Sequence, residues 1–365
     1  MRIYENGQER FQPLAMLEEL SRLRQRPALL LCGANLSSPD TATMLYTFLR
    51  QLGHQKALDV VFQCPGGHPA ATRQLAVLLR EFTDHLTILV MQHAHSAGAL
   101  FCLAADELIM SPLSTLSPID PQMPGQLSGD NDWTIMPGRE KDSATPRGIA
   151  TEEMRLFREM ASAWFGVGET VEERLSLLHT FASRIFPTTL TALFRADQEM
   201  RQVANELLRY HQPDAIVRQR ISDQLTEGFF SHAHVIHRQE ARELGLNVVH
   251  ATGEEETCLW RLLGWWQAYH SFMRPDLQAL RQKLWVRSVL VGDGFAAHDI
   301  VPLPSVAPAH ALATQEGSPD PSTSPVLPRR PEQNIRWGWQ RIPLDILSQE
   351  RYLPEKNKEE QYASS

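Results

Sequence analysis

Ser96 lies in Gln92-His93-Ala94-His95-Ser96-Ala97-Gly98-Ala99, after an apolar run from Leu86 to Met91 and before small and apolar residues from Ala97 to Ala105. That order predicts a strand, a turn and a buried helix with the serine at its start, where unpaired amides and the helix dipole favour negative charge. A second apolar run, Ala57 to Phe62, ends in Cys64-Pro65-Gly66-Gly67. Paired glycines let backbone amides face a small group with no side chain in the way. A serine near such a turn has the parts that acyl transfer requires, a hydroxyl nucleophile and oxyanion donors. The same residues also suit plainer tasks: a helix N-cap for Ser96 and a tight strand-to-helix turn for Gly66 and Gly67.

These residues need a scaffold, and the surrounding pattern predicts a parallel one. Leu14, Leu17, Leu20 and Leu23 mark an amphipathic helix over 12–25, followed by a strand over 27–32 and a helix over 41–52 closed by Gly53. The strand at 57–62 is almost continuously apolar, as in a central strand covered on both faces. Ala71, Leu75, Leu78, Leu79 and Phe82 define the next helix, and a fourth strand is expected at 107–110. Ser111 to Gln122 is turn-rich, and residues 123–149 are polar and rich in Gly, Pro and Asp, as in a loop or lid. From Thr151 long helices take over, at 151–164, 170–185, 188–211 and 214–226, an inserted block over 150–227. The chain returns through Phe229 to Ile236 and a short helix at 238–244 stopped by Gly245.

The core is expected to span 1–250, followed by an aromatic-rich helix and a strand over 251–301, a proline-rich linker over 302–333 and a tail over 334–365. Trp260, Trp265, Trp266, Tyr269 and Phe272 exceed what one stripe can bury, so part of that helix is expected to dock on a neighbour or partner. With 365 residues and 42% hydrophobic content the chain can bury a sizeable core. A net charge of −8 argues against general nucleic-acid binding. Cys32, Cys64, Cys102 and Cys258 are too scattered for a zinc ribbon or a disulfide framework, and Cys64 and Cys102 read as core thiols. Neither a signal peptide nor a run of the ~20 apolar residues that span a membrane is visible, so the expectation is a cytoplasmic protein.

Several motifs in order resemble the serine dehydrogenase proteinase family of Clp-fold serine peptidases, and more distantly Clp protease and signal peptide peptidase A. They are Val60 to Gly67, His95 to Ala99, Ala104 to Met110, Ser117 to Gln122, Leu225 to Gly228, Ser231-His232 and Glu240 to Asn247. The resemblance covers roughly residues 25 to 250, with the helical block matching least. It implies an α/β, Clp/crotonase-like spiral of ββα units, Ser96 as nucleophile, and amides near Gly67 and Ala97 as the oxyanion site.

It also frames the question of the base. In the Clp arrangement a histidine follows the serine at a distance that falls here on Pro118 to Gln122, which offers Asp120 instead. Asp120 is a poor base at its reference pKa of ~3.9, but it can orient a histidine or cap a turn. The family's return segment reads Ser-His-Asp, and here it is Ser231-His232-Ala233. His232 is therefore the expected base, oriented by Asp120, with His234 and His237 as less supported neighbours. Lys141 is the counterpart of the lysine in signal peptide peptidase A, although its charged surroundings disfavour the required pKa depression.

His93 and His95 share a strand face and admit a metal pair, but no third ligand has suitable spacing, so a structural or cleft-lining role is expected. No cofactor is expected, and no G-x-G-x-x-G follows a strand. The sequence thus reads as a serine hydrolase acting on peptide or protein and assembling into homo-oligomers, as related folds do. Two alternatives stay open. One is a crotonase-like acyl-CoA enzyme, and the other is an inactive scaffold, which Ala233 would favour.

Overall fold

The structure, a computed structural model, describes residues 4–5, 8–9, 13–33, 40–124, 148–168, 170–183, 187–271, 284–292, 295–302 and 338–341. A short pair, β1 (Tyr4–Glu5) and β2 (Gln8–Glu9), precedes α1 (Pro13–Arg24). Strands and helices then alternate: β3 (Ala28–Gly33), α2 (Asp40–Leu52), β4 (Gln55–Cys64), α3 (Pro69–Arg80), β5 (Thr83–Ala94), α4 (Ala97–Cys102) and β6 (Glu107–Met110). Next come β7 (Thr115–Leu116), β8 (Gln122–Pro124), β9 (Gly148–Ala150) and four helices, α5 (Thr151–Phe165), α6 (Val171–Ala182), α7 (Pro187–Leu208) and α8 (Ala215–Glu227). The chain closes with β10 (Ile236–His237), α9 (Arg238–Glu243), β11 (Val248–His250), α10 (Gly253–Ser271), β12 (Leu284–Gly292), β13 (Phe295–Pro302) and β14 (Gly338–Arg341).

The main sheet runs β10-β7-β5-β4-β3-β12-β13-β14, with β6 beside β5 and β11 beside β6. Strands β3, β4, β5, β6 and β11 are mutually parallel, as βαβ crossovers require. Alternate residues serve two cores. Leu58, Val60, Phe62, Leu86, Ile88 and Val90 face α2, α3, α4, α7 and α8, whereas Leu30, Val61 and Leu89 face α1 and α10. Burial on both sides explains the unbroken apolar runs in these strands.

The helices end where their side chains allow. His68 accepts the Ala70 amide at the start of α3, and Asp214 accepts those of Ile216 and Val217 at the start of α8.

Beyond residue 250 a helix and further strands follow. Strand β12 pairs antiparallel with β3, and β13 and β14 continue the same sheet, so residues 284–292, 295–302 and 338–341 extend the sheet of the core. The pairing covers the edge of β3, which would otherwise expose a row of unpaired backbone groups.

Helix α10 likewise docks within its own chain: Cys258, Leu259, Leu262, Leu263, Trp265 and Trp266 bury themselves beside α1, and Arg261 bonds Glu19 at 2.8 Å. Trp260 points away and is 66% exposed. Loop residues 125–147, with Lys141, and the proline-rich linker beyond Pro302 lie outside the described residues. The loop's ends meet as the antiparallel pair β8–β9.

Candidate active site

Strand β5 changes partners along its length. Residues Thr87 to Val90 pair with β6, and then His93 and Ala94 pair with β7. A register shift in β4 between Phe62 and Cys64 accompanies the change. Gln63 occupies the gap, and its Oε1 accepts the amides of Gln92 at 3.0 Å and His93 at 2.8 Å. Without that carbonyl two partly buried donors would face an interruption in the ladder.

At the end of β5 the chain turns sharply. The His95 amide donates to the Cys64 carbonyl at 2.9 Å, while the Ser96 amide donates to Ser117 Oγ at 2.7 Å on the opposite side. Ser96 then adopts φ 51°, ψ −117°, a region that side chains other than hydrogen avoid at a cost of about 1–3 kcal/mol. It precedes α4, yet its side chain makes no capping bond. Helix α4 has only six residues, so its individual amides matter more than any macrodipole.

Two glycines allow this turn to nestle against β4. A Cβ on Gly98 would lie 2.8 Å from the Cys64 carbonyl oxygen, so only glycine lets α4 start there. A Cβ on Gly66 would lie 3.7 Å from the Ser96 Cβ, which puts the Pro65-Gly66-Gly67 turn beside the serine. Cys64 Sγ donates to the Gly66 carbonyl at 2.9 Å and braces the turn, and Gly67 adopts the extended geometry of a single β-bridge. Burial pushes the Cys102 thiol up, in keeping with an inert core position. Ala97, the first residue of α4, has an amide with no intrahelical acceptor.

Asp120 and His232, 112 residues apart, meet at 2.7 Å between Oδ1 and Nδ1. Strand β10 pairs with β7, which carries the preceding loop back across the sheet end, and the Ile119 amide ties the Asp120 segment to the Leu225 carbonyl at 3.0 Å. In the tautomer that donates Nδ1–H to Asp120, Nε2 is the nitrogen left to exchange a proton. The carboxylate that Ala233 lacks therefore comes from the other side of the histidine. His234 is engaged elsewhere, bonded to Glu240 at 3.0 Å and stacked on Phe229, and His237 is exposed on β10.

His93 and His95 converge on one hydroxyl. Thr115 Oγ1 lies 3.2 Å from His93 Nδ1 and 2.9 Å from His95 Nε2, and donates its own proton to the Gln92 carbonyl at 3.1 Å. Both rings therefore donate to Thr115, which fixes their tautomers. Burial, followed by the neighbouring His93 and His232, lowers the His95 pKa to about 4, so its ring is neutral at pH 7. Among the described residues no group of three or more His, Cys, Asp or Glu side chains could hold a metal.

With this geometry in view, comparison with known proteins identifies the central segment. Residues 38–134 match the family described as ClpP-like SDH-type serine proteinase. The match covers β4, the glycine turn, Ser96 and Asp120, and the α/β core has the ClpP-like fold. The chain is 25% identical over 191 residues to the uncharacterized protein MJ1495 of Methanocaldococcus jannaschii, covering 52% of this chain and 51% of that protein. It is 26% identical over 214 residues to the uncharacterized protein MJ0137 of the same organism, covering 59% and 61%. The match thus spans about half to three-fifths of the length of these curated relatives.

Two solved structures of the 1510-N membrane-bound stomatin-specific protease are also similar. A serine-to-alanine mutant has 13% identity, a TM-score of 0.34 and coverage of 61% of this chain and 77% of that one. A lysine-to-alanine mutant in complex with a substrate peptide has 14% identity, a TM-score of 0.35 and coverage of 62% and 75%. Among the described residues no helix is long and apolar enough to cross a membrane.

Sequence reasoning missed Ser117, Thr115 and Gln63 as parts of this site. Ser117 and Gln63 fall inside motifs that carry the family resemblance, and Thr115 just before one, but nothing in their spacing says that their side chains bond the end of β5.

Proposed function

We propose that this chain is a serine hydrolase that cleaves amide bonds in peptides or proteins through an acyl-enzyme on Ser96. The observation that carries the reading is the backbone of Ser96, held at positive φ with a hydroxyl that caps nothing. A serine serving only as an N-cap has no need of that strain. Such a conformation lifts a nucleophile out of the plane of its own strand and helix.

In this mechanism His232 Nε2 takes the Ser96 proton as Oγ attacks the carbonyl carbon, and Asp120 holds the imidazole and offsets the charge it gains. Amides at the glycine turn, Gly66 and Gly67, and at Ala97 receive the oxyanion. His232 then protonates the leaving amine, and water enters by the reverse path to free the acid. The Asp120–His232 contact supports catalysis over the inactive scaffold, because it supplies the carboxylate that the return segment lacks.

Copies of the chain associate in this reading, which fits an apolar stripe on α5 and α6: Trp164, Phe165, Val171, Leu175 and Leu178 are 57–75% exposed. The compartment proposed is the cytoplasm, which fits four buried thiols.

The test is labelling of the purified protein by a fluorophosphonate probe. Stoichiometric labelling that disappears in Ser96→Ala is the expected result. A folded wild-type protein that takes up no probe, or a Ser96→Ala variant that still labels, would overturn the reading.

A further inference from the structure

We infer that Ser117 is a positioning residue for the nucleophile: its hydroxyl takes the place of a backbone carbonyl and holds Ser96 in its positive-φ conformation. The inference rests on the hydrolase reading of Ser96 and adds to it a residue outside the Ser96, His232 and Asp120 set.

The argument begins with the ladder between β5 and β7. His93 faces Thr115 and Ala94 faces Leu116. In a strand, successive amides point to opposite sides, and the pattern persists past the last rung: the His95 amide goes to Cys64 on the β4 side and the Ser96 amide to the β7 side. There the partner is a side chain, Ser117 Oγ, at 2.7 Å. A ladder continued by carbonyls would keep Ser96 extended. A hydroxyl on a side chain reaches further and lets the backbone rotate to φ 51° while its amide stays satisfied.

The direction of the bond is unambiguous. Ser117 donates its own hydrogen to the Pro118 carbonyl at 3.0 Å, so its lone pairs are what the Ser96 amide meets. Ser117 is 4% exposed, which excludes water as an easy substitute. It also stands on a rigid mount. Pro118 and Pro121 restrict the segment, every residue from Ser114 to Pro121 is buried, and the Ile119 amide is tied to α8. Three residues further on, the same segment presents Asp120 to His232. One mount therefore sets the nucleophile and the partner of the base, through separate side chains.

Loss of the Ser117 hydroxyl leaves the Ser96 amide without its acceptor and lets the turn relax towards negative φ, which swings Oγ away from the glycine turn. Small misplacements of a reacting group lower rates by about 10²-fold. Fluorophosphonate labelling kinetics, resolved into probe affinity and maximal rate, test this in wild type, Ser117→Ala and Ser117→Thr.

The expected result for Ser117→Ala is a maximal labelling rate about 10- to 100-fold lower, with probe affinity unchanged and the midpoint of the pH–rate profile unmoved, because Asp120 and His232 are untouched. Ser117→Thr keeps the hydroxyl and should restore the rate to within about 3-fold of wild type. Amide exchange read at Ser96 should quicken in Ser117→Ala and recover in Ser117→Thr.

An unchanged maximal rate in Ser117→Ala, a shifted pH midpoint, or a threonine variant no faster than alanine would overturn the role assigned to Ser117 while leaving the hydrolase reading intact. Should Ser117→Ala fold poorly, Ser117→Thr and Ser117→Cys carry the test, since sulfur accepts weakly: equal rates in these two would refute the inference. Wild-type protein that does not label at Ser96 refutes the hydrolase reading, and with it the catalytic part of this one.

Discussion

The parallel sheet carries two polar clusters, one near the start of its strands and one at their ends, and they are built in opposite ways. Near the start, Asp59, Thr87 and Glu107 lie side by side on β4, β5 and β6 in regular register. Arg24 joins this row by pairing with Asp59, with Glu255 at 2.5 Å and with Glu107 at 3.3 Å, while Arg26 reaches Thr87 at 3.2 Å and Asp59 at 3.6 Å. Charge answers charge there, the strands keep their register, and the positive φ nearby belongs to Gln25, between the two arginines and outside the strands.

At the other end the register shifts, Ser96 is strained, and the bonding runs through hydroxyls, an amide side chain, the His93 and His95 rings and the Asp120 carboxylate on His232. A lattice of charges stabilises the position of everything in it. A group poised for proton transfer instead needs partners that orient it and keep its proton affinity near the working pH. The proposed reading gives stability to the first cluster and chemistry to the second, in line with the general rule that open α/β sheets place their sites at the carboxyl ends of the strands.

The largest effect that would sharpen this contrast is expected at His232. His232→Ala should slow Ser96 labelling and peptide hydrolysis about 10²- to 10⁴-fold, with a stability loss of about 1–3 kcal/mol from the buried Asp120 carboxylate it leaves unpaired. Near-normal hydrolysis in that variant would remove the base from the second cluster and return the question to Lys141. Next comes Arg24→Ala, which strands Asp59 and Glu255 in a buried setting. It should destabilise the protein by about 3–5 kcal/mol in urea unfolding while the folded fraction labels at the wild-type rate. A labelling defect in folded Arg24→Ala would mean that the two ends of the sheet are coupled.

The smallest effect is on pH dependence. Burial, opposed by Arg24, raises the Asp59 carboxyl to about 6, so the folded state holds a proton that the unfolded chain has lost. Its contribution to stability is present below the unfolded value of ~3.9 and disappears as pH rises through about 6. His95, lowered to about 4, works in the opposite sense: its contribution is present above the unfolded value of ~6.5 and is lost as pH falls towards 4. The two slopes oppose each other over much of the same window. Urea midpoints of Asp59→Asn, followed from pH 7 down to 4, should therefore fall more steeply than those of wild type, and those of His95→Gln less steeply. Parallel pH curves for all three proteins would break the contrast.

Much of this molecule is written locally. The continuous runs at β4 and β5 announce strands buried on both faces, and the leucine spacing in α1 and the stop at Gly53 announce their helices. The glycine turn and the serine at a strand-to-helix junction are also local patterns, because strand, turn and helix propensities act over a few neighbouring residues. Helix α10 was harder to read. Its tryptophans declare that they must be buried, but nothing in their spacing says that the covering surface is the second face of the same sheet.

The strain at Ser96 and the bond from Ser117, 21 residues on, depend on the register between β5 and β7. The meeting of Asp120 with His232 depends on β10 returning beside β7 after four helices. Sequence alone thus determined the elements and the residue types at the strand ends, since those follow from short-range periodicity. Which hydroxyl meets the Ser96 amide, which carboxylate reaches His232 and where the C-terminal strands attach were decided by tertiary structure, because partners far apart along a chain are selected by topology and register.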